Sequence, residues 1–211
     1  MKPIRSTLLL VCAIFMCTHF AKAQDGIDAY MGVGTATATS SGVATDTFGT
    51  GNPFTTPKLG GAFGKAGADI MFTPHFGVGG EADFRFSQGA YAGLTYRPTF
   101  YDFNGIFHPF THSARIVPEF QAGLGAVNLK FFAPQSYCDA FAGCSSSNAY
   151  LESSNHFQTH LGAAVRFYAT QHIFFRPQVD IRWVDNFFQF GSDWVPEYSV
   201  SVGYNFGHSE K

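Results

Sequence analysis

From residue 27 onward this chain repeatedly alternates apolar side chains with small or polar ones at a period of two. That period belongs to a β-strand, whose successive side chains leave on opposite faces. The last such segment is the plainest: Pro196, Tyr198, Val200, Val202, Tyr204 and Phe206 share one face, and Glu197, Ser199, Ser201, Gly203 and Asn205 the other. Upstream, Pro177 to Trp183 alternates with Arg176, Gln178, Asp180 and Arg182, and Phe157 to Phe167 with Gln158, His160, Gly162, Ala164 and Arg166. Ile116 to Leu124 alternates with Val117, Glu119, Gln121 and Gly123, and Phe76 to Phe86 with Gly77, Gly79, Glu81, Asp83 and Arg85. Three weaker segments set Ile27 to Val33 against Asp28 and Tyr30, Ala62 to Phe72 against Phe63, Lys65 and Asp69, and Ala92 to Phe100 against Thr95, Arg97 and Thr99. The run after Phe100 loses strict alternation, which predicts a bulge there. Eight strands are expected, and almost no helical periodicity competes with them.

Which face is the inside decides the fold. In a soluble sandwich the apolar faces meet in a core and the outer faces carry abundant charge. Here charged residues make up 13% of the chain, about half the usual share, and the polar faces carry Gly, Gln and single charges. In a transmembrane barrel the order inverts, with apolar side chains toward lipid and polar ones in the lumen. Segments of about 9–13 residues match the ~9–11 that cross a bilayer at a tilt. Aromatics gather at segment ends, among them Tyr30, Phe76, Phe167, Phe174, Trp194 and Tyr204, where interfacial girdles belong. The links after segments 1, 5 and 7 are long, while TPHF and ATQH, after segments 2 and 6, are tight. That asymmetry predicts short periplasmic turns, long extracellular loops and periplasmic termini. The expected fold is all-β: an eight-stranded antiparallel up-and-down transmembrane β-barrel.

The first 23 residues read differently. Lys2 and Arg5 precede an apolar core from Leu8 to Cys17, and Ala21-Lys22-Ala23 offers small residues at a cleavage site before Gln24. This is the pattern of a secretory signal peptide, and its core is too short to span a bilayer. The expected division is therefore a signal peptide over 1–23, cut between Ala23 and Gln24, and a barrel domain over 24–211. The leader carries Lys2, Arg5 and Lys22 and no acid, so ten basic side chains remain against 15 acids. No basic patch points to nucleic acid. Two of the four cysteines leave with the leader. Cys138 and Cys144, close together in an exported chain, are expected to form a loop disulfide. A metal site there lacks further ligands, His156 being the nearest imidazole and alone.

The leader, the eight alternating segments and the closing VSVGYNFG resemble the small bacterial outer-membrane β-barrel family, of the kind formed by the barrel domain of outer-membrane protein A. The resemblance covers residues 24–207 and implies an integral outer-membrane location. Its implied partners are outer-membrane lipid and lipopolysaccharide, and the barrel-assembly machinery during insertion. Tyr204-x-Phe206 is similar to the signal that machinery reads, although five residues, Gly207 to Lys211, follow it. A monomer without cofactor, and with no further domain after the barrel, is expected.

The same parity sends twelve charges into the lumen: Asp28, Lys65, Asp69, Glu81, Asp83, Arg85, Arg97, Glu119, Arg166, Asp180, Arg182 and Glu197. Buried charges require partners, and an eight-stranded barrel is only wide enough for side chains to fill it. The expectation is a salt-bridged plug in a barrel with a structural or surface-interaction role. A narrow or gated channel for small solutes is the alternative, and an outer-membrane lipid-modifying enzyme the second. For the enzyme, His160 stands beside Gln158, with Ser153, Ser154 and His156 above, but no Gly-x-Ser-x-Gly turn presents a nucleophile. Polar filling is the expected role, and no catalytic activity is expected. His75, His108, His112 and His172 fall near the tight turns as interfacial residues. The long loops, with Tyr137, Phe141, Tyr150, Phe187, Phe188, Phe190 and Trp194, are candidates for recognition or for loop packing.

Overall fold

The computed structural model of the protein describes residues 26–38, 43–45, 53–55, 58–91, 93–110, 115–139 and 143–207. The leader, with Ala23 and Gln24, lies outside the described residues, as do His112, Phe141 and the last four positions.

Eight long antiparallel strands close on themselves. They are β1 (Ile27–Ala36), β4 (Phe63–Met71), β5 (Phe76–Arg85), β7 (Leu94–Phe107), β8 (Ile116–Asp139), β9 (Gly143–Tyr168), β10 (Ile173–Val184) and β11 (Trp194–Asn205). Each pairs with its neighbour in sequence, β5 bonds to β7, and β1 pairs with β11 from Asp28↔Asn205 to Ala36↔Glu197, which completes the ring. Three short strands decorate one end: β2 (Val43–Thr45) and β3 (Pro53–Thr55) pair with each other, and β6 (Gly89–Tyr91) pairs with β7.

The tight connections after β4 and β9 lie at one end, here the turn end, together with the longer 108–115 link from β7 to β8, and the remaining connections lie at the other, the loop end. Two tight turns repeat one device. In Thr73-Pro74-His75 and Thr170-Gln171-His172, the threonine hydroxyl accepts the amide two residues on, at 3.3 Å, and the amide three on, at 2.9 Å. Each imidazole Nδ1 then reaches a neighbouring strand's end carbonyl, His75 to His108 at 2.7 Å and His172 to Asn205 at 3.0 Å. These histidines thus tie adjacent hairpins together. At the loop end, β8 and β9 outrun their other neighbours: β7 stops pairing at Phe132 and β10 at Gln158. The hairpin continues alone to Asp139↔Gly143, with a bulge at Phe131/Phe132 and a Cys138–Cys144 disulfide beside the tip.

The apolar faces point outward. Met31, Phe103, Leu161 and Val200 are more than half exposed, whereas Asp28, Asp83, Glu119 and Arg166 are fully buried. Such a surface is stable only against lipid. Phe76, Phe107 and Phe120 stand in one register row near the turn end, and Trp183 and Trp194 pair near the loop end. Two of the end aromatics belong inside instead. Tyr30 and Phe174 are buried in the lumen, where glycines leave room for their rings: Gly67 faces Tyr30, and Gly203 faces Phe174.

Strand β7 corrects the expected parity. Tyr96, Pro98 and Phe100 point inward and Arg97 outward, so Arg97 is not a lumen charge. The expected bulge after Phe100 is absent too: β7 stays in unbroken register with β5 and β8 through Phe107, burying Asp102, Asn104 and Ile106. Hydrophobicity misleads at this height because the loop-end lumen is itself apolar. Asp102 and Asn104 carry the true parity, and an unbroken strand has only one.

Leu161, 61% exposed at the middle of the apolar band, reports on this assignment. Leu161→Arg is expected to cost about 2–4 kcal/mol, the depth-dependent cost of a cation at the bilayer midplane, in equilibrium urea unfolding from lipid vesicles.

Candidate functional site

Inward parity brings side chains from all eight long strands into one buried network. Three arginines and a lysine organise it. Nearest the turn end, Arg166 on β9 reaches Asp69 at 2.6 Å, and also Asp28 and Glu119. Arg176 on β10 donates twice to Glu119, at 2.7 and 3.0 Å, and once to Glu81 at 3.2 Å. Its guanidinium lies 4.2 Å from the centre of the Tyr30 ring. Above it, Lys65 on β4 stands among four carboxylates: Glu197 at 2.9 Å, Glu81 at 3.1 Å, Asp83 at 3.4 Å and Asp180 at 3.5 Å. Arg182, higher on β10, holds Asp83 at 2.6 Å, Asp102 at 2.8 Å and also Glu197.

Shared carboxylates make these clusters continuous. Glu119 links Arg166 to Arg176, Glu81 links Arg176 to Lys65, and Asp83 with Glu197 links Lys65 to Arg182. Among the described buried residues, eight acids face four Lys and Arg cations. Other donors meet the excess. Gln121 reaches Glu119 at 2.7 Å, Gln158 reaches Asp102 at 2.6 Å, Gln178 reaches Asp180 at 2.8 Å, and Asn205 reaches Asp28 at 2.6 Å. Tyr30 donates to Glu81 at 3.1 Å. Two imidazoles join them, His108 Nε2 at 2.9 Å from Glu119 and His160 Nε2 at 2.9 Å from Asp180.

Above the network the lumen becomes apolar. Phe63, Tyr91, Tyr96, Phe100, Val127, Leu129, Phe131, Val184 and Val195 form a buried cluster, closed from the loop by Phe187 and Phe190. A 3₁₀ turn, Phe188–Phe190, carries Phe190 inward. Phe187 and Phe190 sit 4.9 Å apart between ring centres, and Phe190 lies 5.0 Å from Tyr96. Of the loop aromatics, these two pack inside while Tyr150 and Trp194 remain exposed.

Ten of the twelve sequence-derived charges share the network. Arg85 points inward but stands apart at the loop end, its guanidinium 5.0 Å from the Tyr96 ring centre. Arg97 faces outward. Two members of the network are not marked by the sequence expectation: Arg176, on the polar side of its segment, and Asp102, in the run after Phe100 where apolar residues fall on both faces. His108, expected at the interface, is instead fully buried against Glu119.

One further polar group lies at the rim. His156 Nε2 is 3.0 Å from Ser154 Oγ, and Nδ1 is 3.1 Å from the Asp185 carbonyl oxygen. The imidazole is thus oriented by a backbone carbonyl rather than by an acid, and its Nε2 also lies 3.4 Å from Gln189 Nε2. It packs edge-on against Phe187, 5.7 Å between ring centres.

Residues 7–206 match the family model described as "Outer membrane protein beta-barrel domain". Among solved structures, the fold is similar to Neisserial surface protein A, at 12% identity and a TM-score of 0.57, over 86% of this chain and 98% of that one. It is similar to a major outer membrane protein from Thermus thermophilus, at 10% identity and a TM-score of 0.50, over 84% and 99%. Ail, the attachment invasion locus protein of Yersinia pestis, is similar at 16% identity and a TM-score of 0.48, over 86% and 99%. At these identities the likeness is one of fold. No curated protein matches the chain.

Removing Glu119 takes from Arg176 two of its three carboxylate hydrogen bonds and from Arg166, His108 and Gln121 a shared buried acceptor. Glu119→Ala is expected to destabilise the barrel by about 3–5 kcal/mol, read as a lowered urea midpoint, with Glu119→Gln intermediate because the amide oxygen still accepts.

Proposed function

The chain belongs to the outer membrane protein β-barrel family, and on that premise we propose that it is a sealed barrel with a structural or surface-interaction role rather than a pore or an enzyme. One observation carries this reading: the lumen is occupied along its length by the ion-pair network and, above it, by the Phe187–Phe190 cluster. A solute would have to separate several buried ion pairs and displace packed aromatic rings. Buried pairs are costly to break, and the ring of strands is too narrow to leave a parallel path.

In this reading the turn end and both termini face the periplasm, and the long loops face outward from the cell. The β8–β9 hairpin then carries its Cys138–Cys144 disulfide roughly 20 Å beyond the barrel, at about 3.3 Å per residue, past the ends of the other described long strands. Lipid and lipopolysaccharide surround a monomer, which the barrel-assembly machinery inserts. Residues 1–23 act as a signal peptide.

Two measurements test this. In planar bilayers the refolded protein is expected to give no reproducible unit conductance; a steady single-channel current would sink the plug. Protein recovered from outer membranes is expected to begin at Gln24, by N-terminal sequencing or intact mass. Retention of the first 23 residues would refute cleavage there.

A further inference from the structure

Arg97 and Lys130 are exposed and directly opposite each other in the β7–β8 ladder, both on the outward face. Among the described residues, the outward faces of the eight strands carry no other formal charge up to the height where the β8–β9 hairpin leaves the barrel. The two cations are therefore neither scattered nor balanced. Like charges directly opposite on a sheet repel, and neither is in an ion pair among the described residues. Glu152, the nearest acid along the ladder, stands opposite Phe131 and so on the other face.

Their height is specific. One step toward the turn end, Thr99, Asn128 and Asn155 form an uncharged polar row, Asn128 donating to Asn155 at 2.7 Å. Tyr101, Ala126 and Phe157 open the apolar band in the row after that. Arg97 thus lies four residues above Tyr101, roughly 13 Å along the strand, at headgroup depth. Ser153 stands opposite Lys130 on the far side and adds a hydroxyl.

We propose that Arg97 and Lys130, with Ser153, form a binding site for the phosphate of a glycolipid in the outer leaflet. This rests on the orientation proposed above. A phosphate between the cations turns their repulsion into two charge-assisted contacts, and a guanidinium fork matches its oxygens in pairs. The apolar band below receives the acyl chains of the same molecule, which commits the site to a lipid rather than a free anion.

The test uses the chain refolded in detergent micelles and titrated with diphosphorylated lipid A, with retained lipid read by native mass spectrometry. Removing phosphate from the glycolipid is expected to abolish the tight complex. Combining Arg97→Gln with Lys130→Gln is expected to weaken it roughly thirtyfold, while Arg97→Lys with Lys130→Arg retains most of it. Inorganic phosphate equimolar with lipid phosphate is expected not to displace the lipid. Equal binding of the dephosphorylated glycolipid, an unaffected double variant, or displacement by inorganic phosphate would each overturn the proposal. Both side chains are exposed, so the variants keep the fold, which heat-modifiable mobility on a denaturing gel verifies. Micelle binding depends neither on conductance nor on which end faces the cell exterior. Its failure therefore leaves the sealed-barrel reading standing, and a conducting barrel leaves this site standing.

Discussion

Hydrocarbon offers no partner to a backbone N–H or C=O, and the ladder between β1 and β11 removes the open edge that an unrolled sheet would expose there. Everything else depends on that closure. It joins the first strand to the last, so no part of the barrel is complete before the C-terminal segment pairs. It also divides every strand into a lipid face and a lumen face, and so turns a period-two sequence into a radial partition of chemistry.

The partition makes the lumen an unusual interior. A soluble core of this width would be filled with aliphatic side chains; here Arg166, Arg176, Arg182 and Lys65 fill its middle among the eight buried acids of the described residues. Ion pairs of this kind do not surpass apolar packing in stability, because desolvation offsets most of their attraction. Their consequence is specificity. Each arginine reaches carboxylates on different strands, Arg166 on β1, β4 and β8, and Arg182 on β5, β7 and β11. A slip of one residue in any strand would send its carboxylate into lipid. The network thus ties register across the barrel, where backbone bonds act only between neighbours.

The two ends are finished by different means. At the turn end, Thr-x-His turns and their imidazole contacts lace the hairpins together. At the loop end, aromatic rings replace ions, and the lumen and lipid faces both become apolar or weakly polar. The only outward charges on the barrel strands among the described residues, Arg97 and Lys130, emerge at that height. The β8–β9 hairpin leaves the barrel there as well, and once past both neighbouring strands neither of its faces has a core to meet, so Ser and Asn dominate β9 from Ser145 to Asn148.

Alternation was legible wherever the two faces differ in chemistry. That holds for β11, β10, β9, β8 and β5, whose inward Glu, Asp, Arg and Gln contrast with outward Val, Ile and Phe, and it carries the strand number, the barrel and most of the lumen charges. It failed in β7, where Tyr96 and Phe100 lie inside and Arg97 outside, because aromatic content no longer marks lipid once the lumen closes with a cluster of rings. Partner choice was not legible either. Parity alone puts Arg176 near the lumen, but only the curvature of the closed sheet brings it to Glu119, 57 positions away, and Arg182 on β10 to Asp83 on β5, across the barrel. The sequence by itself determined which chemistry faces which solvent, since a strand's period is local. The tertiary structure decided which ion meets which, since that depends on strand stagger and on the short distance across an eight-stranded ring.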